Sequence, residues 1–210
     1  MPNRPFSRRA LLLRGATGAF ALSGGPTLLA ASRHLAATTG SADLRIGVFS
    51  DFDTLNPITT VSSEEIHSLV YDKLMAYDAQ LNPTLSLAKS RHVSADGKTV
   101  TFVLHDGATF HDGTPLTSAD VKFSYELVKK TGLGYSSPYV TNLTAVHTPD
   151  KSTVVTTFSK PVADDPALLM FILPQHIWEK IPKAKLATYP NSAMIGSGPF
   201  QFVAWAHNQS

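Results

Sequence analysis

Three Asp-Gly pairs, Asp96-Gly97, Asp106-Gly107 and Asp112-Gly113, fall between residues 96 and 113. An aspartate carboxylate accepts hydrogen bonds from backbone N–H groups just ahead of it, and glycine tolerates positive φ, so each pair signals a chain reversal. A segment that reverses this often cannot run a long helix and must fold as short strands joined by tight turns. Thr99-Val100-Thr101-Phe102-Val103-Leu104 alternates as a half-buried strand, and Arg91–Ser94 is its expected partner across the first pair. A short strand over Ala108–His111 fits between the other two turns. Thr117-Ser118-Ala119-Asp120 then reads as a capping box with Asp in the Glu position. It predicts a helix over Ser118–Lys130, with Val121, Tyr125 and Val128 on one face and Lys129 and Lys130 at the end. Gly132 and Gly134 stop it.

The flanking regions mix both periodicities. Leu44–Phe49 reads as a strand and Ser50–Pro57 as a loop. Ser62-Ser63-Glu64-Glu65 is a helix start, and the spacing of Ile66, Leu69, Val70 and Leu74 predicts a helix over Ser63–Met75. Leu143–His147 and Thr153–Phe158 flank Pro149-Asp150-Lys151 as a hairpin. Short helices are expected over Pro166–Phe171 and Gln175–Ile181, the second with Pro174 near its first turn. Gly196-Ser197-Gly198-Pro199 is a tight loop, and Phe200–Trp205 an alternating strand. The class is α/β, mixed sheets with helices.

The charge is unevenly spread. The whole chain carries 18 basic and 16 acidic side chains, a net of +2. Residues 1–42 hold Arg4, Arg8, Arg9, Arg14 and Arg33 and no acid, so the remainder has 13 basic and 16 acidic residues and a net charge of −3. That balance speaks against a nucleic-acid partner. Ser7-Arg8-Arg9 precedes the uncharged stretch Gly15–Ser32, which is diluted by glycine, threonine and proline, and small residues follow. A basic start, a weak apolar run and a small-residue tail form a secretory signal, and the arginine pair favours the twin-arginine route. Cleavage is expected between Ser32 and Ala42, leaving 43–210 as an exported, periplasmic mature chain.

Several chemistries are excluded. With no cysteine, the chain has no disulfides, thiolate catalysis, cysteine-ligated zinc or lipidated N-terminal cysteine. The two His-Asp-Gly triplets, His105–Gly107 and His111–Gly113, recur at an interval unlike common zinc spacings and read as structural turns. No Gly-x-Ser-x-Gly elbow, P-loop or Gly-x-Gly-x-x-Gly occurs, which counts against a secreted hydrolase and against nucleotide binding. Lys122, Lys129 and Lys130, with Glu126 among them, read as a solvated helix face. No catalytic residue, metal or cofactor is expected.

Between Leu55 and Lys130 the string becomes specific. Thr54-Leu55-Asn56-Pro57, Tyr71-Asp72-Lys73-Leu74, Ser94-Ala95-Asp96-Gly97-Lys98-Thr99-Val100-Thr101-Phe102 and Phe110-His111-Asp112-Gly113-Thr114-Pro115-Leu116-Thr117-Ser118-Ala119-Asp120-Val121 occur in that order. Leu173–Trp178 and Gly196–Phe200 add an apolar-Pro-x-His segment and a Gly-x-Gly-Pro-aromatic loop. Over about 43–207 the chain resembles the family 5 extracellular solute-binding proteins, the oligopeptide, dipeptide and nickel binding components of ABC importers. The resemblance implies a type II periplasmic-binding-protein-like fold, present here as an incomplete first lobe with the second lobe absent. It implies a monomer that captures a peptide or related small solute and delivers it to ABC permease subunits at the inner membrane. A non-transporting peptide-binding sensor or chaperone on the same fold is the alternative. The resemblance also marks the cleft border: Phe52, Asp53 and Asn56 in the first loop, Tyr135 as an aromatic wall, and Met194 and Ser197 in the late loop.

Overall fold

A computed structural model describes residues 52–162 and 166–205. These fall in one compact unit, Ile46–Ser210. The leader over 1–42 and the expected strand Leu44–Phe49 lie outside the described residues.

The described chain runs α1 (Glu64–Val70), β1 (Met75–Tyr77), β2 (Pro83–Leu85), β3 (Ala88–Val93), β4 (Thr99–Leu104), α2 (Ser118–Thr131), β5 (Leu143–His147), β6 (Thr153–Phe158) and α3 (Gln175–Trp178), with 3-10 turns at Ser137–Val140, Pro166–Leu168 and Lys183–Thr188. β1 and β2 pair as a small hairpin, and the other strands form a four-stranded sheet in the order β3-β4-β6-β5. Every pairing in both sheets is antiparallel. On β4 the alternation turns Val100, Phe102 and Leu104 inward, and on β6 Val154, Thr156 and Phe158. Phe102 lies opposite Val154 and Val100 opposite Thr156. The buried Thr156 hydroxyl donates to Val100 O at 3.2 Å, which removes the penalty of an orphaned hydroxyl.

α2 covers this face with Val121, Tyr125 and Val128, all buried. Its Thr117–Asp120 capping box forms, and Gly132 ends it in the left-handed conformation at φ 67°. Two buried polar residues on α2 tether the later chain: Ser124 Oγ accepts from Leu173 N at 2.8 Å, and Asp120 Oδ1 accepts from Gln175 N at 3.1 Å. These bonds hold Met170, Ile172, Leu173 and Trp178, each almost fully buried, against the core. Lys122 faces Glu126 at 3.8 Å, while Lys129 Nζ donates to Leu143 O.

Four expectations are corrected. α1 ends at Val70, five residues before the predicted Met75, because tertiary partners take the backbone beyond it. Gly198 N donates to Val70 O, Phe200 N to Leu69 O, Ile172 N to Asp72 O, and Ser86 N and Ala88 N to Leu74 O. The chain therefore leaves the helix extended at Tyr71 and enters β1. Ala108–His111 is no strand. Phe110 N donates to Thr114 O and Gly113 N to Phe110 O, so the segment folds on itself around a single Thr109–Pro115 bridge. The two late helices shorten to Pro166–Leu168 and Gln175–Trp178. Phe200–Trp205 forms no ladder among the described residues; its backbone is anchored through Phe200 N.

The Asp-Gly pairs do make turns, with φ of 69°, 74° and 84° at Gly97, Gly107 and Gly113. Asp96 and Asp112 cap their own turns through Lys98 N and Thr114 N. Asp106 instead pairs with Lys89 at 2.9 Å.

Candidate functional site: a junction of three loops

Segments 52–63 and 186–200 meet beside α1, and segment 132–140 approaches the first of them at Ile58. The first is organised by Asp53. Its Oδ1 accepts from Thr54 N (3.0 Å), Thr60 Oγ1 (2.8 Å) and Ser63 Oγ (2.6 Å), and its Oδ2 from Val61 N (2.6 Å) and Ser62 N (3.2 Å). Ser63 Oγ in turn accepts from Asp53 N at 2.9 Å. Partial burial pushes the carboxyl upward, but the hydrogen bonds from Ser63, Val61, Thr60 and Ser62 outweigh it and hold Asp53 well below the usual carboxylate range. It stays ionised and shapes the loop that leads into α1.

Two asparagines lock this loop to the late one in opposite directions. Asn56 Nδ2 donates to Leu186 O (2.8 Å) and Tyr189 O (3.2 Å), while its Oδ1 accepts from Ile58 N (3.1 Å). Asn191 Nδ2 donates to Leu55 O (2.7 Å) and to Tyr71 Oη (2.8 Å). Both asparagines are buried. The 132–140 segment closes from the other side: a Cβ at Gly134 would fall on Ile58 O, so only glycine allows that approach. Tyr135 follows, 55% exposed, with its ring 6.2 Å from that of Tyr139. The same segment walls an open groove of about 300 Å³ with Lys129, but none of the groove's lining residues comes from the other two segments.

Aromatic rings fill the space under the junction. Phe52 packs edge-on to His67 (5.7 Å) and Phe202 (6.4 Å) and lies 5.3 Å from Trp205. His67 stacks on Tyr71 at 6.3 Å, and its Nδ1 lies 2.8 Å from Ser63 O. Burial lowers the pKa of His67 and raises that of the Tyr71 phenol, so both are neutral.

The six residues named for the cleft border thus take two positions. Phe52 is half-buried, and Asp53 and Tyr135 are exposed. Asn56, Met194 and Ser197 are buried at 1%, 0% and 5% exposure. Met194 takes φ 40°, its N–H bonded to Asn191 O at 2.9 Å. Asn191 was missed by sequence reasoning. Its signal is the turn-forming Pro190-Asn191-Ser192 string, which marks a reversal but says nothing of what the amide reaches. Among the described residues no group of three or more His, Asp or Glu side chains is placed to hold a metal ion, and no helix is long and apolar enough to cross a membrane.

The family model for the bacterial extracellular solute-binding proteins, family 5, matches residues 82–210, more than half of the chain. The chain belongs to this family. Among its relatives is a putative ABC transporter peptide-binding protein of Brucella ovis, 34% identical over 208 residues, which cover 94% of this chain and 39% of the relative. Among solved structures it is similar to the Campylobacter jejuni NikZ complex with Ni(L-His), at TM-score 0.68 and 29% identity over 75% of this chain and 32% of that one. It is also similar to the Bacillus subtilis oligopeptide-binding protein AppA in complex with a nonapeptide, at TM-score 0.65 and 29% identity over 73% of this chain and 32% of that one. This family 5 chain therefore spans about two fifths of the length of the curated relatives it matches, which fits an incomplete lobe of the periplasmic-binding-protein fold.

Proposed function

We propose that the chain is part of the substrate-binding component of an ABC importer that captures peptides or related small solutes. The supporting observation is its similarity, across nearly its whole length, to a peptide-binding relative. The reading extends to export by a twin-arginine signal within 1–42, cleavage between Ser32 and Ala42, and a monomeric periplasmic protein, 43–210 being its first-lobe portion. Binding is by enclosure: a second lobe closes over the cargo by a hinge, and permease subunits receive it at the inner membrane. The protein performs no covalent chemistry and needs no resident cofactor.

Within that reading, Phe52 and Tyr135 present ring surface to cargo. Asp53 adds fixed negative charge beside a peptide ammonium, although its oxygens are already engaged by its own loop. Asn56, Met194 and Ser197 set the height and rigidity of the cleft wall from beneath. Cargo affinity should therefore respond sharply to Tyr135→Ala, while stability does not, since Tyr135 is 55% exposed. Native mass spectrometry of the whole two-lobed protein recovered from a periplasmic extract supplies the test, next to titration with a di- to pentapeptide library. Peptides bound by the wild type and lost in Tyr135→Ala support the reading; no bound peptide, or equal retention in the variant, refutes it.

A further inference from the structure

His111 belongs to the third Asp-Gly turn, yet its imidazole reaches a distant segment. Nδ1 accepts from the Gly196 N–H at 3.3 Å, and Nε2 lies 3.0 Å from Gly198 O, a carbonyl that can only accept. Together these contacts admit one neutral form, with the proton on Nε2 and the lone pair on Nδ1. The His111 backbone N–H adds a bond to Gly196 O at 2.8 Å. The segment held this way is the one that caps α1, through Gly198 N to Val70 O at 2.8 Å and Phe200 N to Leu69 O at 3.0 Å. Met194–Phe200 carries no titratable side chain.

We propose that His111 is an acid-released latch. Its neutral form fastens the 194–200 segment, whose own backbone caps α1, to the third Asp-Gly turn. A proton on Nδ1 sets N–H against N–H at Gly196 and loosens the segment there, while Nε2–H keeps its bond to Gly198 O. The titratable neighbours are known. Asp112, next in the chain, accepts from Thr114 N at 3.0 Å through Oδ1 and lies 2.8 Å from His176 Nε2 through Oδ2. From α3 comes His176 itself, and from the end of α1 comes Tyr71, whose ring lies beside Gly196. Two histidines thus border the turn, His111 against the 194–200 segment and His176 against Asp112. The two respond with opposite sign: a proton on His176 strengthens its contact with Asp112, whereas a proton on His111 breaks the contact with Gly196. The latch concerns a joint within this chain and stands whether or not the cargo reading holds.

The test is amide hydrogen exchange on the 210-residue chain at about pH 8 and about pH 5, the span over which imidazoles titrate, with each rate divided by the intrinsic rate at that pH. Protection of Gly196, Gly198 and Phe200 should fall at least tenfold toward acid while the β4 and β6 amides hold theirs. His111→Gln retains a donor and an acceptor without titrating and should flatten that response; His176→Gln should leave it in place. A flat wild-type profile, a fall that survives His111→Gln, or a fall shared by β4 and β6 would overturn the proposal. Should His111→Gln not fold, the imidazole nitrogen shifts of the wild type decide: an Nε2–H tautomer at pH 8 supports the latch, and an Nδ1–H tautomer overturns it.

Discussion

Asn191→Ala is the most informative perturbation of the loop junction, because the residue does two separable jobs. Its amide donates to Leu55 O at 2.7 Å and to Tyr71 Oη at 2.8 Å, and the residue is 4% exposed, so water cannot easily replace it. Two lost hydrogen bonds at about 1 kcal/mol each give about 2 kcal/mol. Asn191 also sits at φ 47°, a conformation that asparagine tolerates and alanine does not. That strain adds about 1 kcal/mol, for a total near 3 kcal/mol. Asn191→Gly keeps the backbone comfortable and should lose only the hydrogen-bond part, about 2 kcal/mol. At roughly 2–4 °C per kcal/mol for a chain of this size, the alanine variant should melt about 6–12 °C lower. Urea unfolding followed by circular dichroism measures both variants, and the slope with denaturant should not change. If both variants lie within about 0.5 kcal/mol of wild type, the amide does not clamp the loops. If glycine is worse than alanine, the backbone part of the reasoning fails.

Asp53→Asn should destabilise the chain at neutral pH and remove part of its acid sensitivity. The folded carboxyl sits well below its unfolded value, so its contribution is complete above the ordinary carboxylate range, falls progressively as the pH drops below that range and is gone only beneath the folded value. Stability curves of variant and wild type should draw together as the pH falls below the ordinary carboxylate range, and a gap that widens in acid would contradict the hydrogen-bonded carboxylate. Gly196→Ala would push a methyl onto Val70 O and the Tyr71 ring, at about 2–3 kcal/mol. Gly107→Ala, at φ 74° with open space around it, should lose only about 1 kcal/mol, and a reversed order in thermal melts would argue against the close approach. Asp112→Ala removes the cap on Thr114 N and the contact with His176, so a loss on the order of 1 kcal/mol is expected in chemical denaturation. Changing Arg8 and Arg9 together to Lys should stop export of a folded reporter fused at Ala42; continued appearance of the reporter in the periplasm would rule out the twin-arginine route.

Elements whose signals are local are legible in the sequence. Thr99–Leu104, Leu143–His147 and Thr153–Phe158 form over those residues, because alternation and turn residues act within a few positions of the chain. α2 follows its capping box and its terminal glycine to within one residue for the same reason. The ordered motifs from Thr54 to Val121 mark the family that the chain belongs to.

Whatever depends on a distant partner is decided by the tertiary structure. Helical spacing continues past Val70, yet α1 stops there because Leu69 O and Val70 O are claimed by residues 200 and 198. The family resemblance marks Asn56 and Met194 as cleft-border residues, but says nothing of their burial. The fold buries both, and Asn56 finds its partners in the backbone carbonyls of Leu186 and Tyr189, some 130 positions away. His111 shows the division in one residue. Its neighbours Asp112 and Gly113 announce a turn from the sequence alone, but the carbonyl and amide that fix its proton belong to residues 198 and 196, more than eighty positions away, and no local pattern carries that pairing. Local backbone chemistry is written in adjacent residues. A hydrogen bond across the fold depends on where the packed core brings two segments together.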